Sequence, residues 1–175
     1  MANSFTRTHY HVLLEDFSKI AVLDDFYSAP SRFAFETEIS FTLQHYYQVK
    51  KAKDLCKPIM CDFSFVDDYA FALLTLSNDE MKIYDQIFAY IQEKIEKPQA
   101  LIRLSAPVEI LLSRINERGR VNEQGIDAAY LSGFTAALNR AVEIIGNGVR
   151  IIDMNTDKTS LREYNNNLYE SWGIL

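Results

Sequence analysis

The chain has 175 residues, 48% hydrophobic, 13% aromatic and 24% charged, a composition that excludes a disordered chain and suits one globular core. Its 18 basic against 24 acidic residues leave a net charge of −6, which argues against a general nucleic-acid or anionic-membrane binder. Two cysteines are too few for a disulfide framework, no apolar run approaches the roughly 20 residues of a membrane span, and the N-terminus shows no secretory segment. The expectation is a single-domain protein of the reducing cytoplasm.

Residues 10–14 form a short apolar run that ends on Glu15 and predict a strand. A helix is expected over 30–52, with Pro30 in its first turn and an aromatic stripe of Phe33, Phe35, Phe41, Tyr46 and Tyr47. A second strand, 58–62, closes on Asp62. Helices over 65–77 and 79–95 follow, the second opened by the N-cap run Ser77-Asn78-Asp79-Glu80. Strand 100–104 leads to a helix from Pro107 to Glu117, and a polar loop runs from Arg118 to Gly125. Helix 126–145 stops at Gly146, strand 149–153 ends on Asp153, and a last helix is expected over 159–172.

Short strands alternating with longer helices predict parallel βαβ units and a three-layer α/β fold. Functional groups in such folds gather at the carboxyl ends of strands. One strand-end acid is most simply a helix cap, but Glu15 and Asp62 together predict a shared site. Asp24-Asp25 and Asp67-Asp68 are expected on solvated helix faces, and Cys61 as a small buried hydrophobe. His9, His11 and His45 are too scattered for a metal set, so no protein-ligated metal is expected.

The densest local signal is Arg114-Ile-Asn-Glu-Arg118-Gly-Arg120-Val-Asn-Glu123-Gln-Gly125. Three guanidinium forks within seven positions, in an acidic protein, point to phosphate oxygens. Gly119 between two arginines suggests a loop that can fold over a ligand.

This run, continued by Ile126-x-x-x-Tyr130-Leu, resembles the LID (114–125) of the deoxynucleoside kinase family, the deoxyadenosine, deoxyguanosine and deoxycytidine kinases. Leu13-Leu-Glu15 and Phe26-Tyr27-Ser-Ala-Pro-Ser-Arg32-Phe-Ala-Phe are similar to the family's acid-ended strand and the segment after it. Cys61-Asp62-Phe63-Ser64 and Leu101-Ile-Arg-Leu-Ser-Ala-Pro107-Val-Glu also match in order, so the resemblance covers about residues 10–155. It implies a P-loop-kinase-like parallel sheet flanked by helices, and transfer of the ATP γ-phosphate to a nucleoside 5′-hydroxyl with Mg²⁺, in nucleotide salvage, by a homodimer. By the same resemblance, Glu15 takes the hydroxyl proton, with Asp62 beside it. Tyr27 and Glu123 hold the sugar 3′-hydroxyl, Phe33 and Phe41 sit on the helix that lines the base slot or are plain core residues, and Glu38 stands where a glutamine reads the base edge. Arg114, Arg118 and Arg120 clamp the donor phosphates, Arg118 next to the reacting group.

Three departures stand out. No Gly-x-x-x-x-Gly-Lys-Ser/Thr occurs and no glycine precedes Gly119. Phe63 stands where the family carries an arginine, and Glu38, when ionised, could only accept hydrogen bonds. The sequence reads as if it starts inside the family's first helix, without the first strand, which would leave neighbouring strands with open edges. A kinase with a shortened start and a catalytically silent, kinase-like binding protein both fit the sequence.

Overall fold

In the computed structural model, residues 10–55, 57–120, 123 and 125–157 are described, so the helix expected over 159–172, His9 and part of the LID lie outside the described residues. They fall into two compact units, 10–99 with 132–149 and 100–131 with 150–157.

The first unit is organised around two parallel strands and a long helix. Strands β1 (His11–Leu13) and β2 (Ile59–Cys61) pair in parallel with Leu13 opposite Cys61. Helix α1 (Leu23–Ser28), which the sequence reading did not foresee, precedes α2 (Pro30–Ala52). Pro30 occupies the first turn of α2, where a missing N–H costs nothing. Helix α3 (Phe65–Thr75) starts where Ser64 Oγ accepts from the Asp67 N–H at 3.1 Å. Helix α4 (Asn78–Lys94) opens with a reciprocal capping box. Glu80 Oε2 accepts from the Ser77 N–H at 2.8 Å, and Ser77 Oγ accepts from the Glu80 N–H at 3.4 Å. Tyr69, Tyr84 and Phe88 pack the faces of α3 and α4 together, with the Tyr69 and Phe88 rings 4.9 Å apart. Tyr84 is fully buried and meets the Thr42 hydroxyl at 2.7 Å, which satisfies its polar tip. Leu13, Ala52 and Phe63 form a second apolar cluster beneath the strands. Phe134 of α6 (Ala128–Ile145) packs against Phe71, with ring centres 4.4 Å apart and the planes tilted by 34°. That helix ends at Gly146, where an added Cβ would lie 2.5 Å from the Val142 carbonyl.

The second unit holds strands β3 (Ala100–Ser105) and β4 (Arg150–Asn155), again parallel, and helix α5 (Val108–Arg118). Asp153 does not close its strand as expected. It sits within β4 opposite Arg103 and ion-pairs with it, so its role is cross-strand pairing. Parallel strands flanked by helices in both units give the α/β class the sequence implied. No helix among the described residues is long and apolar enough to cross a membrane.

Candidate functional site

Parallel pairing in register delivers Glu15 and Asp62 side by side as the chain leaves β1 and β2. The Glu15 N–H donates to Asp62 Oδ1 at 2.7 Å, and the Asp62 N–H donates to the Leu13 carbonyl at 3.2 Å. These two acids, joined in the sequence reading, are therefore joined in the structure. Asp62 fixes the backbone that carries Glu15.

Behind them lies an unexpected surface. The buried residues of α2 are Ala34, Thr37, Glu38, Thr42, His45 and Ala52, so this helix turns a largely polar face inward. The aromatic stripe was not the buried face: Tyr47 is 61% exposed, and Phe33 sits under the Arg32 guanidinium, 5.1 Å from its ring centre. Polar groups leave water only where partners meet them. Here Thr42 has Tyr84 of α4, and the other partners come from α3. Asp68 receives His45 Nδ1 at 3.0 Å from each carboxylate oxygen, and Thr75 Oγ1 stands 3.1 Å from Glu38 Oε1.

Asp68 thus corrects the reading of Asp67-Asp68 as a solvated face: its residue is 6% exposed. The missed signal lay in its neighbours. A helix reading Phe-Val-Asp-Asp-Tyr-Ala-Phe-Ala-Leu-Leu is apolar all round, so it must be buried and take its acids inside with it. His45, set aside as scattered, is the other missed residue. Phe63 is more than an arginine's replacement, since its ring stacks flat on the His45 imidazole, 3.9 Å away and 5° from parallel.

Burial sets the charges here. It pushes Glu38 up to about 8, with the Thr75 hydroxyl opposing and nearby Asp68 reinforcing, so Glu38 is a neutral acid at pH 7. A neutral carboxyl carries a donor as well as an acceptor, whereas an ionised one only accepts. Burial alone would lower His45, but the Asp68 hydrogen bond and the Glu15 carboxylate outweigh it and lift the imidazole to about 9. Burial raises Asp67 to about 6 against the Ser64 hydrogen bond. The Cys61 thiol is pushed up to about 12 by burial and then by Asp62, which leaves it inert as a nucleophile.

Of the remaining expected groups in the first unit, Tyr27 lies on α1, 41% exposed, with its ring edge-on to Phe26 at 5.7 Å. Phe41 lies between Phe17 and His45, 6.1 Å from each ring. In the second unit the three arginines divide. Arg114 donates to the Thr156 hydroxyl at 2.8 Å and to its carbonyl at 2.6 Å, which ties α5 to the end of β4. Arg118 donates twice to Glu123 Oε2, at 2.9 and 2.6 Å, and Arg120 lies 3.3 Å from Glu123 Oε1. Glu123, expected at the sugar, pairs with both Arg118 and Arg120. Gly119 between them takes a left-handed conformation (φ 63°) as the C-terminal cap of α5, so its glycine answers a defined turn.

The family model described as deoxynucleoside kinase matches residues 1–173. The chain belongs to the deoxynucleoside kinase family. It is 30% identical over 113 residues to the deoxyguanosine kinase of Bacillus subtilis (strain 168), a match covering 62% of this chain and 55% of that protein. It is 23% identical over 138 residues to the deoxyadenosine kinase of Dictyostelium discoideum, covering 76% and 56%. The chain thus spans about half the length of the curated relatives it matches. Its fold is that of the M. mycoides deoxyadenosine kinase. The structure of that enzyme with the products dCMP and dCDP gives a TM-score of 0.79 at 16% identity, covering 99% of this chain and 90% of that one. Its structure with dCTP gives 0.76 at 15%, covering 95% and 87%.

Proposed function

We propose that the chain carries the nucleoside site of a deoxynucleoside kinase, in which the γ-phosphate of ATP passes to a deoxynucleoside 5′-hydroxyl. The observation that carries the reading is the polar buried face of α2, which leads from Glu38 through Thr42 and His45 to Glu15 at the strand ends. An ordinary core helix would bury apolar side chains there.

In this reading Glu15 accepts the 5′-hydroxyl proton as the new O–P bond forms and the bond to ADP breaks. Asp62 holds the backbone of Glu15 in place through its 2.7 Å hydrogen bond. Neutral Glu38 offers a base edge one donor and one acceptor, and Phe33 supplies an apolar wall. Tyr27, by the family likeness, serves the sugar hydroxyl. Arg114, Arg118 and Arg120 supply fixed positive charge to the phosphates. By the family likeness, Mg²⁺ would accompany the ATP and would offset the charge of its phosphates. The family likeness extends the reading to a cytoplasmic homodimer in nucleotide salvage.

Thermal unfolding of the chain with each common deoxynucleoside at millimolar concentration tests the site. At least one is expected to raise Tm by mass action. Where transfer from ATP is measured, Glu15→Gln should lower its rate about 10²–10⁴-fold. Binding without transfer would mark a silent binding protein, and no shift with any nucleoside would sink the reading.

A further inference from the structure

The mechanism above uses Glu15 and leaves the most buried titratable group beside it, His45, without a task. His45 is 1% exposed, and three of its contacts fix the ring. Nδ1 donates to Asp68, one ring face lies on Phe63 at 3.9 Å, and Phe41 closes in at 6.1 Å. That leaves Nε2. It is buried and has no hydrogen-bond partner among the described residues, and a donor in that state costs free energy unless something completes it. The acid in front of it is Glu15, with Oε1 at 3.5 Å, an ion-pair distance longer than a hydrogen bond. Glu15 is the movable partner, its side chain 27% exposed against 1% for His45.

We propose that His45 is a positioning residue for Glu15: Asp68 and Phe63 lock its ring so that the Nε2–H points at the Glu15 carboxylate and holds one of its oxygens. The other oxygen is thereby left to face an incoming hydroxyl. The proposal rests on the reading of Glu15 as the proton acceptor. The titratable groups around His45 are Glu15 after β1 and Asp67 and Asp68 on α3, with Tyr84 of α4 facing Asp68 and Glu38 of α2. Two of these, Asp68 and Glu15, touch the ring, so removing either carboxylate should be felt at the imidazole.

The experiment is a pH titration of the His45 ring by NMR in the full chain, wild type and two variants. Glu15→Gln is the deciding variant, because Glu15 is partly exposed and its replacement keeps the shape. The wild-type midpoint should lie near 9. Glu15→Gln should lower it by about one pH unit and shift the Nε2 resonance, effects that a purely structural histidine would not show. Asp68→Asn should lower the midpoint further by removing the anchor at Nδ1. A His45 midpoint and Nε2 resonance unmoved by Glu15→Gln would overturn the proposal. Nucleoside binding measured on the same wild-type sample keeps the two readings apart. Coupling without binding would count against the kinase reading, and binding without coupling against the role of His45.

Discussion

The two charged regions of this molecule are built in opposite ways. In the first unit Glu38, His45 and Asp68 are nearly withdrawn from water, so their charges are set by burial and by one another. In the second, Arg118 and Arg120 keep about half of their side-chain surface exposed (47% and 54%) and share one acid, Glu123. The comparison teaches that similar ion pairs have different consequences. A buried pair fixes geometry and cannot lose a partner cheaply, whereas an exposed one is screened and can exchange partners.

The largest expected effect comes from breaking the buried pair. Asp68→Ala leaves the His45 imidazolium inside the protein without its anchor, and urea unfolding should show a loss of about 3–5 kcal/mol. A loss below about 1 kcal/mol, the value for exposed pairs, would erase the distinction between the regions.

The next effect is smaller and depends on pH. Folded Glu38 holds its proton up to about 8, against 4.5 for the ordinary carboxyl, and His45 holds its proton to about 9 against 6.5. The folded state therefore binds more protons than the unfolded chain. The stability from Glu38 is complete below about 4.5 and fades as pH rises through 8. That from His45 is complete below 6.5 and fades through about 9. Glu38→Gln keeps the donor and acceptor and removes the ionisation, so at pH 8 it should stabilise the protein by about 1–3 kcal/mol, and near pH 4.5 by little. Denaturant titrations at both pH values check this. The same gain at both would show that Glu38 is not held neutral.

The smallest effect belongs to the exposed region. Arg118→Ala removes one partner of Glu123 and should move Tm by under about 3 °C, with the difference shrinking in high salt. A larger, salt-insensitive drop would mean that the arginine cluster is as fixed as the buried pair.

Much of the fold was legible in the sequence because its signals are local. Pro30, the Ser77–Glu80 box and Gly146 mark helix ends through groups a few residues apart, and α2, α4 and α6 begin or end within two residues of expectation. The Glu15–Asp62 pair was legible because chain direction alone places the ends of parallel strands together. His45 and Asp68 were not, since their pairing spans 23 positions and two helices, and a lone histidine or an Asp-Asp run carries no local mark of burial. The helical aromatic spacing of α2 misled for a related reason. Rings such as Tyr47 remain outside because the inward face is occupied by groups with polar partners on α3 and α4. Asp153 was misplaced by assuming that a strand stops at its first acid, when Arg103 across the ladder lets the strand run on.

The two strand ladders also set an order in time. His11 pairs with Ile59 and Ala100 with Arg150, partners 48 and 50 positions apart, with every intervening helix lying inside the loop to be closed. Helices of this length form on the microsecond scale from contacts along the chain, whereas a parallel ladder must first bring distant segments together and lose the entropy of the loop between them. The helices therefore form ahead of the ladders, and pairing of the strands is what brings Glu15 to Asp62. No contact local to either strand can bring these two acids together, since they stand 47 positions apart along the chain.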